Sequence, residues 1–80
     1  MTIAEATRAR IEELCNEKGI NFCQLATVSG IPYTTVKSII YQQSKNPGII
    51  TIKKICDGLD ITITEFFDTD TFKNLEQELK

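Results

Sequence analysis

The stretch FCQLATVSGIPYTTVKSIIY, residues 22–41, decides the fold of this 80-residue chain. It contains two short segments whose apolar residues recur at helical spacing, and Gly30 stands in the turn between them. The first segment predicts a helix over about residues 22–29, and the second predicts a helix over about 32–41. Two short helices joined by a tight turn with a glycine are typical of a helix-turn-helix unit.

Individual residues of this stretch suit that unit. Asn21 is a suitable N-cap for the first helix, and Pro32 suits the first turn of the second. Ala26 allows the two helices to cross closely, while Gly30 accepts a left-handed backbone at little cost. Ile31 is expected to fill the space between the helices. The residues expected on the two buried faces are Leu25, Val28, Val36, Ile39 and Ile40.

Helical spacing continues on both sides of the unit. A first helix is predicted over about residues 2–18, because Lys18 and Gly19 form a typical helix end. A fourth helix is predicted over about 49–58, although its β-branched residues leave strands at 49–55 and 61–63 as an alternative. The residues expected to be buried in these two helices and just after them are Ile3, Thr7, Ile11, Leu14, Cys15, Ile52, Ile55, Cys56 and Leu59.

The last part of the chain predicts two more short helices. Thr62 and Glu65 have the spacing of a capping box for a helix that ends at Phe66 and Phe67. Asp70 is a suitable cap for a final helix over 70–80, which places three apolar side chains in one stripe. The stripe consists of Phe72, Leu75 and Leu79. The chain is therefore predicted to be all-α, with residues 1–69 as the main domain and 70–80 as a helical extension.

Composition excludes several functional classes. The chain is 41% hydrophobic and 25% charged, which is ordinary for one small globular domain. Apolar runs are too short to cross a membrane, and the N-terminal residues lack the apolar core of a signal peptide, so a cytoplasmic location is predicted. A domain of this size leaves no room for an enclosed pocket, so neither an enzyme, a cofactor nor a small-molecule ligand is predicted.

The three cysteines, Cys15, Cys23 and Cys56, do not form a metal-binding or disulfide pattern. Their number is odd, no pair has CxxC spacing, and the chain contains no histidine. We therefore expect them to be small buried apolar residues. The absence of histidine also removes Ser-His and Cys-His catalysis.

The net charge of −2 conceals an uneven distribution. Residues 1–30 carry a charge of −1, from three cations and four acids. Residues 31–56 contain four lysines and no acid, whereas residues 57–80 contain seven acids and two lysines. The segment that includes the second helix of the unit is therefore basic, as a nucleic-acid partner requires.

The sequence resembles the phage-repressor-like (XRE family) helix-turn-helix regulators over about residues 3–67. The motifs that carry the resemblance are Gln24-Leu25-Ala26, Ser29-Gly30-Ile31-Pro32, Thr34-Thr35-Val36, Ser44-Lys45-Asn46-Pro47, the segment Thr51 to Leu59, and Ile63-Thr64-Glu65-Phe66-Phe67. The resemblance implies a five-helix lambda-repressor-like domain, here with a short extra C-terminal helix. It also implies a double-stranded DNA partner, whose major groove the helix at about 32–41 enters.

The resemblance assigns roles to individual positions. The base-reading positions are Tyr33, Thr34, Lys37 and Ser38, whose hydroxyl, methyl and ammonium groups suit base edges. The phosphate-contacting positions are Asn21, Thr35, Gln42, Gln43, Ser44, Lys45 and Asn46. The sequence departs from the family pattern at Phe22, where relatives often have a phosphate-binding glutamine, and at Gln42 and Asp60, where glycine is common.

Two classes of function follow. The first is a sequence-specific transcriptional regulator of the bacterial cytoplasm and nucleoid, a repressor, which binds DNA as a weak homodimer through the stripe of Phe72, Leu75 and Leu79. The second is a protein-interaction module, such as an antitoxin-like or adaptor subunit, which has the fold without strong DNA binding. The second class is favoured by the sequence pI near 5.0 and by Phe22.

Overall fold

Helices form all the regular structure in the computed structural model, which describes residues 1–41 and 46–79. Their bounds are α1 (Ile3–Lys18), α2 (Phe22–Ser29), α3 (Tyr33–Ile40), α4 (Ile49–Gly58), α5 (Ile63–Phe67) and α6 (Asp70–Lys73). The all-α prediction is confirmed, and the strand alternative for 49–55 and 61–63 is wrong.

Local sequence determines where most helices begin. Three helices, α1, α2 and α5, begin with reciprocal capping boxes, in which each side chain accepts from the backbone N–H of the other residue. The pairs are Thr2 with Glu5, Asn21 with Gln24, and Thr62 with Glu65. The pKa of Glu65 is lowered because its carboxylate accepts a hydrogen bond from the Thr62 backbone N–H.

Left-handed residues end several helices, as the sequence predicts. Gly19 ends α1 and Gly30 ends α2, each with φ of 67°. Asp60, which follows α4, has φ of 57°. Aspartate tolerates this backbone better than most residues, so the departure from glycine at this position leaves the turn intact.

The helix α2 packs against both α3 and α4. Its buried residues are Leu25, Ala26 and Ser29. At the end of the α2–α4 crossing, a Cβ built on Gly58 would lie 2.7 Å from the Oγ of Ser29 and 2.8 Å from the carbonyl oxygen of Val28. Only glycine therefore allows α4 to approach α2 this closely.

The core contains most of the predicted residues. Those confirmed as buried are Thr7, Ile11, Leu14, Cys15, Leu25, Val36, Ile39, Ile40, Ile52, Ile55, Cys56 and Leu59. Phe66, near the end of α5, is also buried. Phe67 is half-buried, and Ile31 packs partly buried against the same core.

Two predicted core positions are wrong. Val28 is 51% exposed and Ile3 is 37% exposed. Since an α-helix turns about 100° per residue, Val28 lies roughly 60° outside the arc that spans Leu25, Ser29 and Ala26. Ile3 begins α1, and Ala6 of the following turn is buried instead.

The predicted final helix is shorter than expected. It covers only Asp70–Lys73, and its N-cap is Thr69 rather than Asp70. The amide of Asn74 donates to the carbonyl of Asp70, and the backbone N–H of Glu76 donates to the carbonyl of Met1. These contacts direct the C-terminal residues along the start of α1, so they do not continue the helix.

The predicted apolar stripe therefore does not form on one helix face. Phe72 packs within the chain, with its ring centroid 4.9 Å from that of Phe67 and 6.2 Å from that of Phe66. Leu75 is half-buried outside any helix, whereas Leu79 is 88% exposed. Phe72 therefore packs on its own domain, and the three side chains of the predicted stripe do not share one helix face.

Arg10 joins α1 to the end of α5. Its guanidinium donates to the backbone carbonyls of Phe66 and Glu65 at 2.8 Å each, and it also pairs with Glu13. The carbonyls at the end of a helix have no partner within the helix, so Arg10 supplies one from a neighbouring element.

The cysteines are free, but only two of them are buried. Burial raises the pKa of the Cys15 and Cys56 thiols, which keeps them protonated and unreactive. The prediction is wrong for Cys23, which is exposed in the first turn of α2.

We predict that Gly58→Ala lowers the free energy of unfolding by about 2 kcal/mol. The added methyl group overpacks the α2–α4 crossing, which outweighs the roughly 1 kcal/mol advantage of alanine over glycine in a helix. The matched control is Gly48→Ala, because no atom of the described residues lies within 4 Å of a Cβ at Gly48. Urea unfolding of both variants measures the effect. A Gly58→Ala protein as stable as the wild type would contradict the close approach of α4 to α2 at this position.

Candidate nucleic-acid interface

The helix α3 divides its side chains between the core and solvent. Val36, Ile39 and Ile40 are buried. The opposite side presents the four predicted base-reading residues, of which Tyr33, Thr34 and Lys37 are exposed and Ser38 is half-buried. The structure therefore brings these four side chains together on one outward face of one helix.

Two of these residues also contact each other. The Lys37 ammonium lies 5.6 Å from the centroid of the Tyr33 ring, one helical turn earlier. A cation within about 6 Å of an aromatic ring is attracted by the ring face. The contact places the charge of Lys37 over the N-terminal half of α3, beside Thr34.

A shallow groove of about 290 Å³ lies between α3 and the start of α4. Thr35 and Ser38 line it from α3, and Thr51 lines it from α4. Asn46 and Gly48 line it from the segment that precedes α4. Two predicted phosphate-contacting residues, Thr35 and Asn46, are thus brought together beside one base-reading residue.

The start of α4 was predicted correctly from the sequence, but it was not identified there as a possible phosphate-binding element. Its N-cap, Gly48, provides no side-chain cap, and the first turn contains no acid. The backbone N–H groups of Ile49, Ile50 and Thr51 therefore have no acceptor within the helix, and they carry the positive end of the helix dipole. The signal was present as Asn46-Pro47-Gly48 followed directly by apolar residues, without a capping side chain.

The remaining phosphate-contacting candidates lie elsewhere. Asn21 begins α2, where its side chain already accepts from the backbone N–H of Gln24 at 2.8 Å. It also lines a groove that contains Glu12, so an acid stands near it. The candidates Gln42, Gln43, Ser44 and Lys45 lie outside the described residues.

The electrostatics of this face follow the sequence. Residues 31–56 contain no acid, so neither α3 nor the start of α4 carries negative charge. Lys53, further along α4, pairs with Asp57 and is exposed, and this hydrogen bond raises its pKa. Lys53 therefore belongs to the solvated face of α4.

Within residues 1–41 and 46–79, no group of three or more cysteines, aspartates and glutamates has the arrangement of a metal site. In the same part of the chain, every helix is too short or too polar to cross a membrane.

Comparison with known proteins agrees with this geometry. A family of Cro/C1-type helix-turn-helix DNA-binding domains matches residues 10–71. The structure is similar to the crystal structure of the prophage Lp1 protein 11, with a TM-score of 0.82 and 29% sequence identity, over 94% of this chain and 99% of that chain. No curated protein matches the chain. The predicted resemblance and fold are thereby confirmed.

We predict that Asn21→Ala lowers the free energy of unfolding by about 1 kcal/mol, because it removes the N-cap of α2. Asn21→Asp retains the acceptor oxygen and should leave stability within about 0.5 kcal/mol of the wild type. Thermal unfolding of both variants measures the effect. Equal stability of Asn21→Ala and the wild type would show that the capping box contributes nothing.

Proposed function

Since this chain belongs to the family of Cro/C1-type helix-turn-helix DNA-binding domains, we propose that it is a sequence-specific transcriptional repressor that reads double-stranded DNA with α3. The observation that carries the proposal is the outward face of α3. It exposes Tyr33, Thr34 and Lys37, while the opposite face of the helix is buried in the core. A helix fixed in this way presents a rigid row of polar side chains to the major groove.

Each exposed side chain of α3 has a role in this proposal. Lys37 donates to the O6 and N7 acceptors of guanine, and Thr34 offers a hydroxyl and a methyl group to the neighbouring base. Tyr33 packs on a thymine methyl. Its ring also contacts the Lys37 ammonium and so orients the Lys37 side chain. Ser38, one position after Lys37, faces the boundary between the base edges and the DNA backbone.

Phosphate contacts come from the groove between α3 and α4. Thr35 and Asn46 supply side-chain donors, and the uncapped start of α4 supplies backbone N–H groups and a positive dipole end. The predicted contacts from Gln42, Gln43, Ser44 and Lys45 extend this set, as does that from Asn21. Contacts of this kind position the protein on the duplex without reading its sequence.

A single α3 reaches only a few base pairs. Two copies on a near-palindromic site, with half-sites about 34 Å apart, provide the selectivity that a repressor needs. The acidic residues after position 56 are compatible with this arrangement when they face away from the duplex, because charge repulsion from the phosphates is then screened. The proposed location is the cytoplasm, where the DNA lies.

The first experiment separates DNA binding from a protein-interaction role. Fluorescence anisotropy with DNA selected from a random pool should give a dissociation constant that rises steeply with salt. Each neutralised phosphate contributes roughly 0.9 to the slope of log K against log salt concentration. Absence of binding to any selected sequence at low salt contradicts the proposed function and supports the protein-interaction alternative.

The second experiment assigns the contacts. We predict that Lys37→Ala and Thr34→Ala each weaken binding to the selected site by about 1–3 kcal/mol and relax preference at one base pair. Lys45→Ala should weaken binding to all sequences alike, because a phosphate contact carries no sequence information.

The control for these variants is Lys73→Ala, which removes the same charge from α6, outside the proposed DNA face. It should leave affinity and preference close to those of the wild type. If Lys37→Ala behaves like Lys73→Ala, α3 is not the reading helix.

A further inference from the structure

Unusually exposed apolar side chains stand at the start of α4. Ile49 and Ile50 are its first two residues, and they are 66% and 71% exposed. Ile3, at the start of α1, is 37% exposed. Packing within their own helices or against the core does not cover these side chains.

Two of these isoleucines, Ile3 and Ile49, border an apolar groove of about 270 Å³ between the starts of α1 and α4 and the end of α5, and Ile50 follows Ile49 in the chain. Ile3, Ile49 and Phe67 line it, together with Pro47. We call the exposed residues Ile3, Ile49 and Ile50, together with the half-buried Pro47 and Phe67, the α1–α4 surface. No described residue that lines the groove is charged.

This groove adjoins the proposed DNA face. Asn46 and Pro47 line both the apolar groove and the groove between α3 and α4. A protein bound at the α1–α4 surface would therefore lie directly beside the reading helix and the uncapped start of α4.

The charge pattern favours a second copy of this chain. In a two-fold interface the same patch occurs on both partners, so a patch of one charge repels its own copy. The outer face of α1 carries Glu12, Glu13 and Glu17, and the residues from 57 onward are strongly acidic. The α1–α4 surface has no such charge and offers apolar area, which suits a self-complementary contact.

We propose that the α1–α4 surface is the interface through which two copies of this chain bind DNA side by side. The inference rests on the proposed function, because the second copy is what allows two α3 helices to occupy neighbouring half-sites. It replaces the predicted interface through Phe72, Leu75 and Leu79, since Phe72 is engaged within its own domain.

The first test measures association without DNA. Sedimentation equilibrium of the wild-type chain should show a mass that rises with concentration from monomer to dimer. Ile50→Lys should raise the dimer dissociation constant at least about 10-fold, because it removes apolar contact from both copies and adds like charges. Ile50→Gln should change it in the same direction to a smaller extent.

The matched control is Leu79→Lys, which makes the same substitution at an exposed residue outside the α1–α4 surface. It should leave the dissociation constant unchanged. Circular dichroism melting confirms that each variant is folded, and Ile50→Gln decides the matter if the lysine variant is not. A wild type that stays monomeric at every concentration overturns the proposal, as does dissociation by Leu79→Lys but not by Ile50→Lys.

The second test adds DNA with one half-site or with two. Ile50→Lys should bind the single half-site as the wild type does, and should lose the wild type's preference for two half-sites. If the wild type dimerises through the α1–α4 surface but binds neither DNA, the proposed function is wrong and the interface stands. If the wild type binds one half-site and shows no preference for two, the interface is wrong and the proposed function stands.

Discussion

The close crossing of α2 and α4 is the constraint on which the rest of the structure depends. At Gly58 the backbone of α4 meets Ser29 and the Val28 carbonyl at distances that exclude any side chain. At this point the buried Ser29 hydroxyl has no hydrogen-bond partner among residues 1–41 and 46–79. Such a group is expensive to bury, so close packing of the two helices outweighs hydrogen bonding here. Because α3 packs on α2, this crossing also determines the direction in which α3 presents its outer face.

Helix capping differs between the supporting helices and the proposed DNA face. The helices α1, α2 and α5 begin with capping boxes, whereas α3 and α4 begin with Pro32 and Gly48, which supply no capping side chain. A capping oxygen would neutralise the N–H groups that an anionic ligand could use. The two uncapped helices are therefore less stabilised by their own sequence and depend on tertiary packing, which their buried isoleucines supply.

Local chemistry explains what the sequence predicted correctly. Gly19, Gly30 and the Thr62–Glu65 box act within a few residues, so helix ends and the helix-turn-helix unit were predictable from spacing alone. The errors share a non-local cause. The Val28 side chain has the right period but is exposed, and the residues after the final helix leave it for the chain start, where the backbone N–H of Glu76 donates to the carbonyl of Met1. The role of Gly58 requires knowledge of a helix 29 residues earlier in the chain, which no local pattern contains.

The contact between the two chain ends helps to explain how three surfaces remain separate in one small domain. These are the proposed DNA face, the α1–α4 surface and the acidic surface formed by residues after position 56. The N-terminal ammonium of Met1 lies 3.3 Å from a carboxylate oxygen of Glu76, which fixes an acidic residue near the start of α1. This places a polar group close to Ile3, at the edge of the α1–α4 surface, as in interfaces where a polar rim surrounds an apolar centre. The basic segment, residues 31–56, is separate in sequence from the acidic residues, since it contains no acid itself. A surface that is uncharged in its centre and bordered by charge can then bring two copies together without placing acids against the DNA phosphates.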